Sequence, residues 1–205
     1  MNNVEINKRA KLSQHLTSSS VATLGHSSEL DGSRLSPHFT LGELCKTSAK
    51  TQDGRSAQGD ALLAKNIPSH VHIENLKRLC GWLEMLRSEW NKRYGSLTPD
   101  PSPKGEGSKY KDTPIIINSG YRSEAVNRAV GGAPNSNHLM GCAVDIHVTG
   151  MEQLVRYAAI LLDISDERQE DFDELLLERS PKGTYWLHFA VRPSGNRRRV
   201  NLIKG

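Results

Sequence analysis

At 205 residues, with 36% hydrophobic and 24% charged side chains, the chain is long enough for one domain with tails and a properly buried core. Cys45, Cys80 and Cys142 are odd in number and far apart, with no Cys-x-x-Cys pair, which argues against a disulfide scaffold and a thiolate metal site alike. The 27 basic and 23 acidic residues leave a formal net charge of +4, much of it in Lys8, Arg9, Lys11, Arg197, Arg198 and Arg199; with no nucleic-acid motif or aromatic interleaving beside it, this excess reads as a solvated basic tail and not as a nucleic-acid surface.

Residues 1–34 are rich in Ser, Asn and Gly and poor in large apolar side chains, the composition of a disordered extension, so ordered structure is expected from Leu35. The first residues hold no apolar run of the kind a secretory signal needs, and no later run is long enough to cross a bilayer. The expectation is a soluble chain made in the cytoplasm, monomeric and without a membrane partner. Thr40-Leu41-Gly42-Glu43 is a capping-box pattern that opens a short helix toward Ser48, with His38 and Phe39 packing its entry. Residues 50–64 are polar and carry no assignment. Ser69 is read as the N-cap and Gly95 as the stop of the longest helix, whose apolar face is Ile73, Leu76, Cys80, Leu83, Leu86 and Trp90. His70 and His72 fall in its first turn, where residues two apart do not face together, so both read as surface residues. Residues 96–114 form a Pro/Gly/charged loop, long for a compact domain.

Ile115-Ile116-Ile117-Asn118 reads as a buried strand. Ser123 caps a short helix through Val130, ended by Gly131-Gly132. Cys142, Val144, Ile146 and Val148 then alternate with Ala143, Asp145 and His147, the period of a half-buried strand, which turns Asp145 to the face opposite the valines. Leu154, Val155, Ala158, Ala159, Leu161 and Leu162 mark a further amphipathic helix. Residues 172–178 and 185–191 are two strands joined by 179–184 in a hairpin-like connection. The fold class that results is α+β, helices packed on a small, mostly antiparallel sheet. There are no internal repeats.

His138 sits in a Gly/Asn/Ser-rich loop, Asp145 follows inside the apolar run, and His188 lies in the strand-like Tyr185-Trp186-Leu187-His188-Phe189. Two imidazoles and one carboxylate on strands and strand-edge loops match a catalytic zinc site, with three protein ligands and a fourth position open for water. Three ordinary hydrogen-bonded polar residues are the alternative. His147 shares the face of Asp145 by alternation and is read as supporting or surface.

Ser136-x-His138-x-x-Gly141-x-Ala143-x-Asp145 resembles the signature of the zinc D-Ala-D-Ala carboxypeptidase-like metallopeptidases, whose fold is shared with the hedgehog signalling domain. Tyr185 to Phe189 resembles the closing segment of that family. The likeness extends to Leu35-Ser36-Pro37-His38-Phe39-Thr40, Ser119-Gly120-Tyr121-Arg122-Ser123 and Gly195-Asn196-Arg197-Arg198, a pattern similar to the short forms carried by phages and mobile elements of gut bacteria. The resemblance implies Zn²⁺ on His138, Asp145 and His188, and a metal-activated water that hydrolyses peptide bonds next to D-amino acids in peptidoglycan peptides. It implies an Arg122 that faces the metal and engages a substrate carbonyl or carboxylate. Ser136 is a candidate for orienting a ligand or substrate, or else only for hydrogen bonding within the loop. A role at the cell wall would then require release on lysis or by a partner.

One position departs from the family. Relatives carry a Glu or Asp three residues before the last histidine as general base, and here that residue is Tyr185, whose phenol titrates near 10. Glu178 is the expected substitute, with Glu174 behind it, since Glu174, Leu176 and Glu178 share one face of their strand. The competing reading is a zinc-binding, non-catalytic cell-wall-binding or structural module of the same fold.

Overall fold

The computed structural model describes residues 32–47, 66–97 and 110–204. Most of the extension expected over 1–34, the polar 50–64 and the middle of the 96–114 loop lie outside the described residues. Structure is already present before Leu35. The Leu41 N–H donates to the Ser33 carbonyl at 2.7 Å, and Arg34 bridges to Thr40.

Helix α1 (Leu41–Cys45) starts on the capping box read from its sequence. Thr40 Oγ1 accepts from the Glu43 N–H at 3.2 Å, and the Glu43 carboxylate accepts from the Thr40 N–H at 2.9 Å. It stops at Cys45, short of Ser48. Helix α2 (His70–Tyr94) buries Leu76, Leu79, Cys80, Trp82, Leu83 and Leu86 along one face. Burying one such leucine contributes about 1.5–3 kcal/mol, so this stripe is a main anchor of the core. His72 is not the surface residue that the sequence suggested. Its ring accepts from the Ser69 N–H at 3.1 Å and stacks on Tyr121 at 4.7 Å.

Strands β1 (Ser96–Leu97) and β2 (Tyr110–Lys111) pair antiparallel, so strand structure begins and ends the stretch read as one loop. Strand β3 (Ile117–Ser119) follows, then helix α3 (Glu124–Ala129), whose N-cap Ser123 accepts from the Val126 N–H at 3.4 Å. A 3-10 turn (Asn137–Met140) leads through Gly141 into β4 (Ala143–His147). Gly141 has φ +67°, and a Cβ there would lie 2.8 Å from the His72 carbonyl oxygen, so the tight turn needs glycine on both counts. Helix α4 (Met151–Arg168), β5 (Glu174–Arg179), β6 (Tyr185–Ala190) and β7 (Arg199–Lys204) complete the described chain.

The main sheet has the order β3-β4-β6-β5-β7, antiparallel at every pair except β5-β7, which is parallel. The architecture is mixed α+β, as the periodicities imply. One face, with Val144, Ile146, Leu175, Leu187 and Phe189, joins the stripes of α2 and α4 in a single core, where Trp82 packs on Phe172 and Phe189. The opposite face carries Asp145, His188, Glu174, Leu176, Glu178 and Trp186 by strand alternation.

The C-terminal arginines read as a solvated basic tail stay partly exposed but are ion-paired at the start of β7, while Lys8, Arg9 and Lys11 lie outside the described residues. Arg197 pairs with Asp173 and Glu174, Arg198 with Asp166 and Asp171, and Arg199 with Glu174. Each of the three arginines thus has a carboxylate partner in the fold.

Candidate metal centre

Asp145 and His188 are register partners across β4 and β6, so both side chains leave the sheet on one face. His138 comes from the 3-10 turn that Gly141 closes. His138 Nε2 lies 3.2 Å from Asp145 Oδ1, His188 Nδ1 lies 3.0 Å from the same oxygen, and the two ring nitrogens are 3.3 Å apart. Tetrahedral zinc with bonds of about 2.0–2.1 Å would hold its ligand atoms about 3.3 Å apart, so the triangle already has the size of such a site. Among the described residues this is the one cluster of three or more His, Cys, Asp or Glu side chains able to hold a metal ion.

The tautomers agree with that use. His138 Nδ1 lies 2.6 Å from the Gly120 carbonyl oxygen, which can only accept, so the proton sits on Nδ1 and the Nε2 lone pair faces the cluster. Gly120 can take this position only as glycine, because a Cβ there would be 2.3 Å from the Leu44 carbonyl oxygen. His188 turns Nδ1 inward and Nε2 outward, 3.6 Å from Glu174 Oε2. With His188 neutral and its proton on Nε2, two lone pairs and a carboxylate would converge on one point, an arrangement that repels itself unless a cation or a proton lies between them.

Electrostatics point the same way. Burial would raise the Asp145 carboxyl, but the charges and hydrogen bonds of His138 and His188 outweigh it and hold it far below the usual carboxylate range. Burial holds the His138 imidazole below its ordinary value against the pull of Asp145. Burial also acts to lower His188, yet the hydrogen bond to Asp145 and the nearby Glu174 carboxylate prevail and push it up to about 9. In the metal-free molecule a proton on His188 supplies the positive charge that the cluster demands.

Arg122 reaches this centre through Asp145. Its Nη2 donates to Asp145 Oδ2 and its Nε donates to Ser119 Oγ at 2.9 Å. Nη1 makes no hydrogen bond to the described residues. Arg122, Asp145, Trp186 and Asn118 line a cavity of about 230 Å³. Ser136 lies elsewhere. Its Oγ accepts from the His138 N–H at 3.3 Å, capping the turn, and the residue lines a separate cavity of about 560 Å³ beside Met140 and Cys142.

The two candidate bases separate. Glu178 pairs in register with Trp186, on the face of His188, and makes no hydrogen bond or ion pair with the described residues. Burial pushes its carboxyl above the ordinary value. Glu174 is fully engaged instead. It faces His188 and accepts from Asn137 Nδ2 at 3.0 Å, Arg197 Nη2 at 2.9 Å and Arg199 Nη1 at 3.3 Å. The contact with His188 is the main cause of its low value, about 2. Tyr185 packs against the core on the other face, and His147 is exposed. Sequence reasoning missed Asn137 and Asp173 altogether. Arg197 stood in a resembling motif but carried no role, since its partners come from a strand more than twenty residues away.

A protein-family model described as Peptidase M15 matches residues 107–167. No curated protein matches the chain. The match supports that peptidase family, whose members are metallopeptidases, and the mixed α+β fold is compatible with it. It takes in Arg122, Ser136, His138 and Asp145 and ends before β5 and β6. The third member of the cluster lies outside the matched residues: His188 reaches the other two because β6 pairs with β4 in this register.

Proposed function

We propose that the protein is a zinc-dependent peptidase that hydrolyses bonds next to D-amino acids in peptidoglycan peptides, in the manner of the D-Ala-D-Ala carboxypeptidase-like enzymes. The observation that carries this reading is the convergence of His138 Nε2, Asp145 Oδ1 and His188 Nδ1 on the same sheet face as Glu178, a half-buried carboxylate with no hydrogen-bond or ion-pair partner among the described residues. Zinc bound by these three residues would supply a Lewis acid that acidifies water and polarises a carbonyl.

The remaining roles belong to the chain. Glu178 takes a proton from the attacking water as its oxygen bonds to the carbonyl carbon. The same group returns that proton to the leaving amine as the C–N bond breaks, the usual double duty of a positioned carboxylate. Its raised pKa suits a group that must both take and give a proton near neutrality. Arg122 is anchored through Nε and Nη2 and keeps Nη1 for the carbonyl oxygen or terminal carboxylate of a substrate in the adjoining cavity. No helix among the described residues is long and apolar enough to cross a membrane. The reading places the protein in the cytoplasm as made, as a monomer, and at the wall after lysis.

The residue at position 185 favours a second reading, a metal-holding module without turnover, because relatives have an acid where this chain has a core-packed tyrosine. Incubating the zinc-loaded protein with purified muropeptides and reading the products by mass spectrometry separates the two. Chelator-sensitive cleavage next to a D-residue is the expected result. An unchanged muropeptide profile with zinc bound would hand the site to the second reading.

A further inference from the structure

We propose that Glu174 is a positioning residue of the metal centre, holding His188 in the tautomer and orientation that present Nδ1, and that Arg197 and Asn137 in turn hold Glu174. The inference rests on the reading of His138, Asp145 and His188 as metal ligands. The two histidines need opposite nitrogens inside: His138 offers Nε2 and His188 offers Nδ1. Each then needs an acceptor for the proton on its outer nitrogen. For His138 the backbone provides one, the Gly120 carbonyl. For His188 the outer nitrogen faces a side chain, Glu174 Oε2 at 3.6 Å, within reach of a hydrogen bond after a shift of a few tenths of an ångström.

A carboxylate on a flexible stem orients nothing unless it is itself fixed. Glu174 is fixed from three sides, by Asn137, Arg197 and Arg199. Arg197 is tied in turn to Asp173, which is fully buried, through Nε at 2.8 Å and Nη2 at 2.7 Å. Asn137 bonds the same Asp173 at 2.7 Å and directly precedes His138. One polar network therefore touches both histidines, from the 3-10 turn on one side and from the C-terminal segment on the other. That connection gives the Arg197 segment a use beyond closing the sheet edge.

The test compares the full-length wild type with Glu174→Ala and Glu174→Gln. Zinc affinity is measured by competition with a chromophoric chelator, and the thermal unfolding of each metal-free protein is recorded beside it. Glu174→Ala should weaken zinc binding about 10–100-fold, the range for removal of a group that orients a metal-bound histidine. Glu174→Gln should recover most of that loss, because its amide oxygen still accepts from Nε2–H. The midpoints of the metal-free Gln variant and wild type should agree within about 3 °C. Zinc affinity within threefold of wild type in Glu174→Ala overturns the proposal, as does an equal loss in both variants. If Glu174→Ala does not fold, nitrogen-15 spectra of the metal-loaded wild type decide. The His188 ring must then show a protonated Nε2 whose resonance shifts in Glu174→Gln, and an unshifted resonance overturns the proposal. A wild type that binds no zinc removes the metal reading itself, whereas wild-type binding with indifferent variants removes only the role of Glu174.

Discussion

His138, Asp145 and His188 are three polar side chains buried within one hydrogen-bond distance of each other, and two carboxylates on the same sheet face differ sharply in their surroundings. Glu174 is saturated with donors, while Glu178 has none among the described residues. Glu178→Gln, which keeps shape and removes charge, should lower peptide hydrolysis at least about a hundredfold, the lower end for a lost general base. Zinc content should stay at the wild-type level, as elemental analysis of the same sample will show. A variant that keeps full activity would return Glu178 to an ordinary half-buried carboxylate. A pH dependence follows from His188, which is pushed up to about 9 in the metal-free protein. Zinc must displace that proton, so its apparent affinity should rise about tenfold per pH unit as pH climbs toward 9 and level off above. Calorimetric titrations at several pH values check this, and a flat profile would show that no proton occupies His188.

At the scale of elements, Gly120 and Asp173 tie the secondary structure to the centre. Gly120 passes so close to α1 that a Cβ would lie 2.3 Å from the Leu44 carbonyl oxygen, while its own carbonyl holds His138. Gly120→Ala should cost about 1–3 kcal/mol through this overpacking and loosen zinc as well. Denaturant unfolding and a zinc competition assay on one preparation read both effects. Asp173 joins β5 to the segment before β7. Burial acts to raise its carboxyl, but Arg197, Asn137 and Arg192 outweigh burial and hold it below the ordinary range. A depressed folded value stabilises above the unfolded value of about 3.9 and loses that stability as pH falls through the folded one. Asp173→Asn should therefore destabilise the protein at pH 7 by about 1–3 kcal/mol, the cost of an imperfectly paired buried network. The difference from wild type should shrink toward pH 3, and a difference that is constant with pH would place the effect in packing alone.

For the whole molecule, what was legible depended on how local the signal is. The α1 capping box, the α2 stripe and the alternation around Asp145 are written within a few residues, and each element appears with its bounds shifted by little. The face shared by Asp145 and His188 was also readable, because alternation fixes sides once a strand is known. Strand β7 was not. Its Arg199-Val200-Asn201-Leu202-Ile203-Lys204 leaves Val200 and Leu202 about half exposed, and its parallel pairing with β5 is a long-range choice with no turn to announce it. The same distance hid the Asp173 and Glu174 partners of Arg197, which therefore looked like a solvated charge. Ser136 shows a different limit. A serine two residues before a histidine reads alike whether it caps a turn or meets a substrate; its hydroxyl accepts from the His138 N–H, and the residue also lines a cavity.

The central claim is that His138, Asp145 and His188 together form one metal centre. Zinc content per chain, measured by elemental analysis on the purified protein and on His138→Ala, Asp145→Ala and His188→Ala, tests it most directly. The account predicts close to one zinc per chain in the wild type and a large loss in each variant, with lower thermal stability wherever the metal is gone, since a ligand bound only by the folded state adds to its stability. Equal zinc in the wild type and all three variants, or none in the wild type after reconstitution, would contradict it.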